Sequence, residues 1–245
     1  RLTLAPAAAG PAPTSAGGTS TRARTEGRHL VVETPTARVR IDLRRGLAFG
    51  SITFPAVDER PLLGTIPHGY FDDIELGADF YSGHLVHDIP ARPKVTDLAP
   101  VQPHVSDVPE GTLVEGAIGT PLGFVRKRIL VHASRPRVDV EYDLEWAHLP
   151  IGSLRLGHVT LLPDAFDPES LRYATHLGGR GMETFPLTGP VDHGRSVNFL
   201  VSARQALGIT EGVVTLGDAR KEVVVRVDRS ASALVGMVTF RRAEP

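Results

Sequence analysis

The sequence lacks cysteine and any long apolar run, and it carries almost no net charge. Zero cysteines in 245 residues exclude disulfides, thiolate metal ligands and a cysteine nucleophile, but they leave the compartment open. The 27 Lys and Arg residues nearly balance the 28 Asp and Glu residues, so no net field attracts nucleic acid or an anionic membrane. No apolar run approaches the roughly 20 residues that span a bilayer. We therefore expect neither nucleic acid nor membrane as a partner.

Several catalytic signatures are also missing. The sequence contains no G-x-S-x-G nucleophile motif and no HExxH zinc motif. The glycine-rich stretch "HLGGRG" lacks the lysine of a phosphate-binding loop, and a single Trp leaves little for stacking nucleic-acid bases. Serine-hydrolase, zinc-protease and nucleotide chemistry therefore have no support in the sequence.

The first 28 residues differ in composition from the rest of the chain. They are rich in Ala, Pro, Gly, Ser and Thr and have few large apolar side chains, so they have little surface to bury. We expect residues 1–28 to form a flexible tether, with Leu2 and Leu4 docking back, and residues 29–245 to form one domain.

From His29 onward, apolar residues recur with a period of two. "HLVVETPTARVRIDL" predicts a hairpin, and "RRGLAFGSITF" predicts a turn at Gly46 before another strand. The stretch "RVDVEYDLEW" alternates strictly between apolar and acidic residues, and further short strands follow, with "LGDARKE" as a tight hairpin turn around Asp218. This pattern predicts an all-β fold, a large antiparallel β-sandwich of two stacked sheets.

Two local details accompany this prediction. Arg126, Lys127 and Arg128 precede the acidic strand, so we expect them to pair with its carboxylates across the hairpin. "DPESLRYATHL" is the one stretch that could form a short helix, with Asp167 as its N-cap.

The densest chemistry lies in "GYFDDIELGADFYSGHLVHD", residues 69–88, which we call the acidic aromatic segment. Carboxylates beside aromatic rings suit sugars, because hydroxyls need acceptors and pyranose faces need flat surfaces. The candidate sugar-binding residues are Tyr70, Asp72, Asp73, Glu75, Asp79, Tyr81 and His84. The candidate catalytic residues are Asp72, Asp79, His84 and His176. The alternative is a solvated loop whose acids cap turns and whose rings, Phe71 and Phe80 included, enter the core.

Metal ligands are not predicted. His84 and His87 are three residues apart, so in a strand they point to opposite faces and do not converge on one ion. His176 and His193 lie in glycine-rich loops and are secondary functional candidates. The carboxylates of the acidic aromatic segment could supply oxygen ligands to Ca²⁺, but they lack the D-x-[DN]-x-[DN]-G spacing.

Two stretches resemble known families. "HLVVETPTARVRIDLRRGLAFGSITF" resembles the opening of the galactose-mutarotase-like β-sandwiches, also called supersandwiches. The tail from "VDHGRSV" to "VGMVTF" is similar to the C-terminal β-domains of glycoside hydrolases of families 57 and 38, with "ITEGVVTLGD" carrying Glu211 where the pattern more often has Asp.

The resemblance implies an accessory, carbohydrate-associated domain. In those families the catalytic carboxylates lie in a separate (β/α) barrel that is missing from this chain, so the implied partners are carbohydrate and a catalytic domain of the same parent protein. An aldose epimerase on this fold would show an Asn-His-Pro-like loop, which the sequence lacks. Two alternatives stay open: an autonomous epimerase, hydrolase or lyase that uses loop carboxylates and histidine, and a structural or protein-binding sandwich.

Overall fold

A computed structural model describes residues 1–7, 21–66, 81–187, 206–230, 234 and 236–239. Within these ranges the secondary structure consists of β-strands and one 3₁₀ turn at Pro163–Ala165. The prediction of an all-β, antiparallel β-sandwich is confirmed. Contacts divide the chain into two compact units, one formed by Arg1–Leu2 and Ala9–Ala165 and the other by Thr3–Ala8 and Phe166–Pro245.

The first unit contains three sheets. One is a five-stranded meander in sequence order, β2-β3-β4-β5-β6, another is a row of antiparallel neighbours, β9-β10-β11-β12, and the third has the order β13-β7-β8. The strands are β2 (Arg22–Glu26), β3 (His29–Glu33), β4 (Arg38–Asp42), β5 (Ala48–Phe54), β6 (Asp58–Gly64), β7 (Leu85–Asp88), β8 (Val95–Thr96), β9 (His104–Val108), β10 (Gly111–Thr120), β11 (Gly123–His132), β12 (Val138–Trp146) and β13 (Ser153–Leu156).

The core of the first unit lies between the meander and the β9–β12 row. Side chains with no exposed surface point inward from both sheets, among them Val32, Ile41 and Ile52 on one side and Ile118 and Ile129 on the other. Fully burying an aliphatic side chain of this size contributes about 1.5–3 kcal/mol relative to leaving it exposed. The alternation of apolar residues in strands such as β11 therefore matches the side chains that form this core.

The second unit is built on one run of adjacent strands in the order β1-β18-β17-β14-β15 and one strand pair, β16-β19. Its strands are β1 (Leu2–Pro6, which belongs to this unit from Thr3 onward), β14 (Arg172–Thr175), β15 (Glu183–Pro186), β16 (Ala206–Ile209), β17 (Val213–Gly217), β18 (Glu222–Val227) and β19 (Gly236–Thr239).

One expectation about local structure is wrong. The short helix predicted after Asp167 is wrong, because Asp167 instead caps a turn through the backbone N–H of Glu169 and the hydroxyl of Ser170, after which the chain enters β14. Strands β1 and β2 lie within residues 1–28, where a tether was expected, and Leu2 and Leu4 are buried, in agreement with the expected docking. Residues 8–20 lie outside the described residues, so the boundary at residue 28 stays a prediction.

The predicted turn around Asp218 is confirmed. Gly217 pairs with Glu222, and the Asp218 carboxylate accepts hydrogen bonds from the N–H groups of Asp167, Arg220 and Lys221 at 2.8–2.9 Å. Burial of the carboxyl opposes its ionisation, but these backbone donors outweigh burial and lower the pKa of Asp218.

We predict that Asp218→Ala lowers the free energy of unfolding by about 1–3 kcal/mol, because three backbone N–H groups lose their charged acceptor. Because the folded pKa is lowered, this stabilisation is present above the ordinary carboxyl pKa and is lost as the pH falls through the folded value. Urea denaturation at neutral and acidic pH measures both effects. Asp228→Ala, at an exposed turn of the same unit, is the control, and an equal loss in both variants would contradict the prediction.

Candidate functional site

Five of the seven predicted sugar-binding residues fall between residues 67 and 80. Tyr70, Asp72, Asp73, Glu75 and Asp79 lie outside the described residues, as does His193. Tyr81, His84 and His176 are described, with Tyr81 and His84 in the first unit and His176 in the second. The described part of the candidate site consists of the residues that flank the undescribed stretch, residues 67–80.

The two ends of that stretch are hydrogen-bonded to each other and to β5. The Ser82 N–H donates to the hydroxyl of Thr65 at 3.0 Å, and the Ser82 hydroxyl donates to the carbonyl of Gly64. The Thr65 hydroxyl in turn donates to the Phe49 carbonyl at 2.7 Å, and the Phe49 N–H donates to the Ser82 carbonyl at 2.7 Å. Residues 65 and 82 are thus held side by side at the edge of the core.

A buried lysine fixes the backbone next to this junction. Lys127 and Asp97 are both fully buried, with 2.7 Å between the lysine Nζ and a carboxylate oxygen. Nζ also donates to the carbonyls of Gly46 at 2.6 Å and Gly83 at 2.8 Å. Two carbonyls therefore accept hydrogen bonds from the ammonium group, and the Asp97 carboxylate supplies the opposite charge. We call Lys127, Asp97, Tyr142 and the carbonyls of Gly46 and Gly83 the Lys127 framework.

Tyr142 and the second carboxylate oxygen complete this framework. The Tyr142 hydroxyl donates to the Gly83 carbonyl at 3.0 Å, and its ring lies 5.4 Å from Nζ of Lys127. The other Asp97 oxygen accepts the Leu85 N–H at 2.8 Å. Burial, and then the Asp97 charge, raises the pKa of Tyr142 well above its ordinary value, so the phenol stays a donor. The framework thus ties Gly83 and Leu85, in the described part of the acidic aromatic segment, to Asp97 and to strands β11 and β12.

The position of Lys127 corrects one prediction. Along β11, Val125, Lys127 and Ile129 face the core, so Lys127 does not pair across the surface of the hairpin as expected. Arg126 and Arg128 do pair as predicted, with Glu145 and Glu141 of β12. Burial lowers the pKa of Lys127, whereas Asp97 acts in the opposite direction and favours the ammonium.

His84 is held as a neutral group inside the first unit. It is 2% exposed, its Nδ1 lies against the carbonyl of Tyr81, and its ring is 5.4 Å from the ring of His158. Burial lowers the pKa of His84 to about 3, with smaller contributions from His158, Lys127 and Arg155. A neutral Nδ1–H donor fits the Tyr81 carbonyl. This geometry does not favour proton transfer near neutral pH, so a catalytic role for His84 stays a prediction without structural support.

Tyr81 and His87 are also engaged internally. The Tyr81 ring is 6% exposed and lies 5.7 Å below the guanidinium of Arg45, so little of its surface is open to a sugar. His87 is 1% exposed, with Nε2 3.0 Å from the Pro150 carbonyl and its ring 5.9 Å from that of Trp146. His84 and His87 thus contact different partners. Among the described residues, no group of three or more His, Asp or Glu side chains could hold a metal ion.

His176 follows β14 in the second unit. Its carbonyl accepts the N–H of Thr210 at 3.0 Å and the Thr210 hydroxyl at 2.7 Å, which joins it to the residue after β16. The same hydroxyl oxygen accepts the Gly178 N–H at 2.9 Å. The described contacts of His176 are therefore those of a loop anchor, and its catalytic candidacy stays untested.

No family model matches the sequence, and no curated protein matches it significantly. Separately, within the part of the chain that the structure describes, no helix is long and apolar enough to cross a membrane.

We predict that Lys127→Met destabilises the protein by about 3–5 kcal/mol, because it leaves the Asp97 carboxylate buried without a counter-charge. The double variant Lys127→Met with Asp97→Asn should recover part of this loss, since the amide oxygen can still accept the Leu85 N–H. Guanidinium denaturation measures each free energy. Arg128→Met, on the exposed face of the same strand, should cost less than about 1 kcal/mol. A Lys127 variant as stable as the Arg128 variant would contradict the role of the framework.

We also predict an acid-dependent loss of stability at His84. Because the folded pKa is about 3, below the ordinary value of 6.5, the unfolded chain binds a proton that the folded chain does not. Stability should therefore be full above pH 6.5 and fall toward pH 3, by up to about 1.4 kcal/mol per pH unit. His84→Asn, which retains an N–H donor, should flatten the slope of unfolding free energy against pH. The exposed His104→Asn is the control, and an unchanged slope in His84→Asn would refute the assignment.

Proposed function

We propose that this chain is an accessory, carbohydrate-associated β-sandwich of a glycoside hydrolase, which contacts sugar or packs on a catalytic domain. The observation that carries the proposal is that the ionisable groups beside the candidate site contact each other or the backbone inside the first unit. Lys127 and Asp97 neutralise each other in the core, and His84 faces a backbone carbonyl. These groups hold the scaffold in place instead of facing a substrate, as expected of a module without its own catalytic centre.

The confirmed antiparallel sandwich and the two stretches that resemble carbohydrate-associated domains support the same proposal. The galactose-mutarotase-like likeness remains part of the proposal. Binding residues are commonly carried on loops that a rigid scaffold positions. Thr65 and Ser82, which flank the undescribed residues 67–80, are anchored on such a scaffold.

Within this proposal, the sugar-contacting residues are Tyr70, Asp72, Asp73, Glu75 and Asp79 of the acidic aromatic segment, because Tyr81 and His84 are buried. Its carboxylates would accept hydrogen bonds from sugar hydroxyls, and its rings would cover the apolar faces of pyranose units. Asp72 and Asp79 are the carboxylates that we select for the test.

We predict that Asp72→Asn with Asp79→Asn weakens binding of α-glucan, mannan or galactan oligosaccharides, because an amide accepts fewer hydrogen bonds than a carboxylate. Isothermal titration calorimetry measures the saturable heat of binding and, in the same trace, the sustained heat of turnover. Sustained heat that disappears in the double variant would replace the accessory module with an autonomous enzyme.

The matched control carries the same change at two exposed carboxylates of the first unit, Asp107→Asn with Asp164→Asn. This control should bind as the unchanged chain does. Equal binding by both double variants would remove the acidic aromatic segment from the proposal, and a flat trace for every protein and sugar would favour a structural sandwich.

A further inference from the structure

An aromatic ring is displayed on the outer face of the first unit. Phe124 begins the exposed side of β11 and is 53% exposed, one of the few large apolar side chains open to solvent among the described residues. It lies opposite Gly119 of β10, and a Cβ at Gly119 would come within 3.9 Å of Cε1 of Phe124. The glycine gives the ring room to lean across β10, so the ring covers backbone on one side and faces water on the other.

Charged side chains surround this ring on the same face. Phe124 lies opposite Glu145 of β12, and the next outward pair along the two strands is Arg126 with Asp143. Arg126 is 58% exposed and Glu145 is 41% exposed, and the Arg126 Nε donates to the Glu145 carboxylate. Glu145 therefore lies one strand spacing, about 4.8 Å, across from Phe124, and Arg126 lies two residues, about 6.8 Å, along β11.

We propose that the face formed by Gly119, Phe124, Arg126, Asp143 and Glu145 binds an oligosaccharide. The exposed side of the Phe124 ring would stack on the apolar face of one pyranose unit. Arg126 would donate to its hydroxyls, and Asp143 and Glu145 would accept from them. This inference rests on the proposed carbohydrate association and adds a contact surface distinct from residues 69–88.

The composition of the face favours a sugar over a protein partner. The buried centres of protein interfaces are depleted in charged residues. Here a single ring is flanked by Arg126, Asp143 and Glu145, and docking an apolar protein surface would remove all three from water. Sugar hydroxyls can instead hydrogen-bond to each of these groups while the ring is covered.

The substitution of Phe124 tests this inference by calorimetry with the same oligosaccharides. Phe124→Ala should weaken binding about threefold to tenfold, the range expected for loss of one aromatic stacking contact. Phe124→Leu, which keeps an apolar side chain but loses the flat ring, should weaken it similarly, and Phe124→Tyr should retain it. Leu149→Ala, at a side chain that is 58% exposed, is the control and should bind normally. Urea denaturation of each variant verifies that it is folded.

The outcomes separate this inference from the proposed function. Binding that is lost in Asp72→Asn with Asp79→Asn but unchanged in Phe124→Ala would overturn the inference and leave the proposed function standing. No binding by the unchanged chain to any sugar would overturn the inference and the sugar-contacting form of the proposed function. If sedimentation velocity shows a dimer that Phe124→Ala dissociates, with sugar affinity unchanged, the face is a contact between copies and the inference is wrong.

Discussion

The ion pair between Lys127 and Asp97 is the interaction on which the first unit depends. A charge in an apolar core is tolerated only when its partners replace the water it has lost, and here one carboxylate and two carbonyls do so. The carbonyls belong to Gly46, before β5, and Gly83, before β7, so one side chain on β11 connects segments far apart in sequence. Such a centre stabilises little by itself, but its directional bonds specify one arrangement of these segments.

The close packing around the Lys127–Asp97 pair explains why two positions beside it, Gly46 and Gly116, are glycine. A Cβ at Gly46 would come within 1.5 Å of the Asp97 carbonyl oxygen, and Gly46 has a φ of 57°. Gly116, opposite Lys127 on β10, leaves space that Leu47 and Val101 fill. Both glycines are therefore required by close packing against neighbouring atoms, and Gly46 is required by its turn geometry as well.

The period-two pattern was sufficient to predict the fold class, the β3–β4 hairpin and the turn at Asp218, because each depends on neighbours in sequence. It was insufficient for the Lys127 framework, whose partners come from distant segments. One signal was nevertheless present: Lys127 falls at the apolar positions of β11, between Val125 and Ile129, and a charged residue there indicates a buried partner. The helix predicted after Asp167 was wrong for a local reason, because the residue types that cap the N-termini of helices also cap turns.

The hydrogen bonds among Phe49, Thr65 and Ser82 hold residues 65 and 82 together. Once the ends of a loop are held together, each doubling of its length costs only about 0.6 kcal/mol in closure entropy. An insertion or deletion between residues 65 and 82 should therefore cost the sandwich little closure entropy.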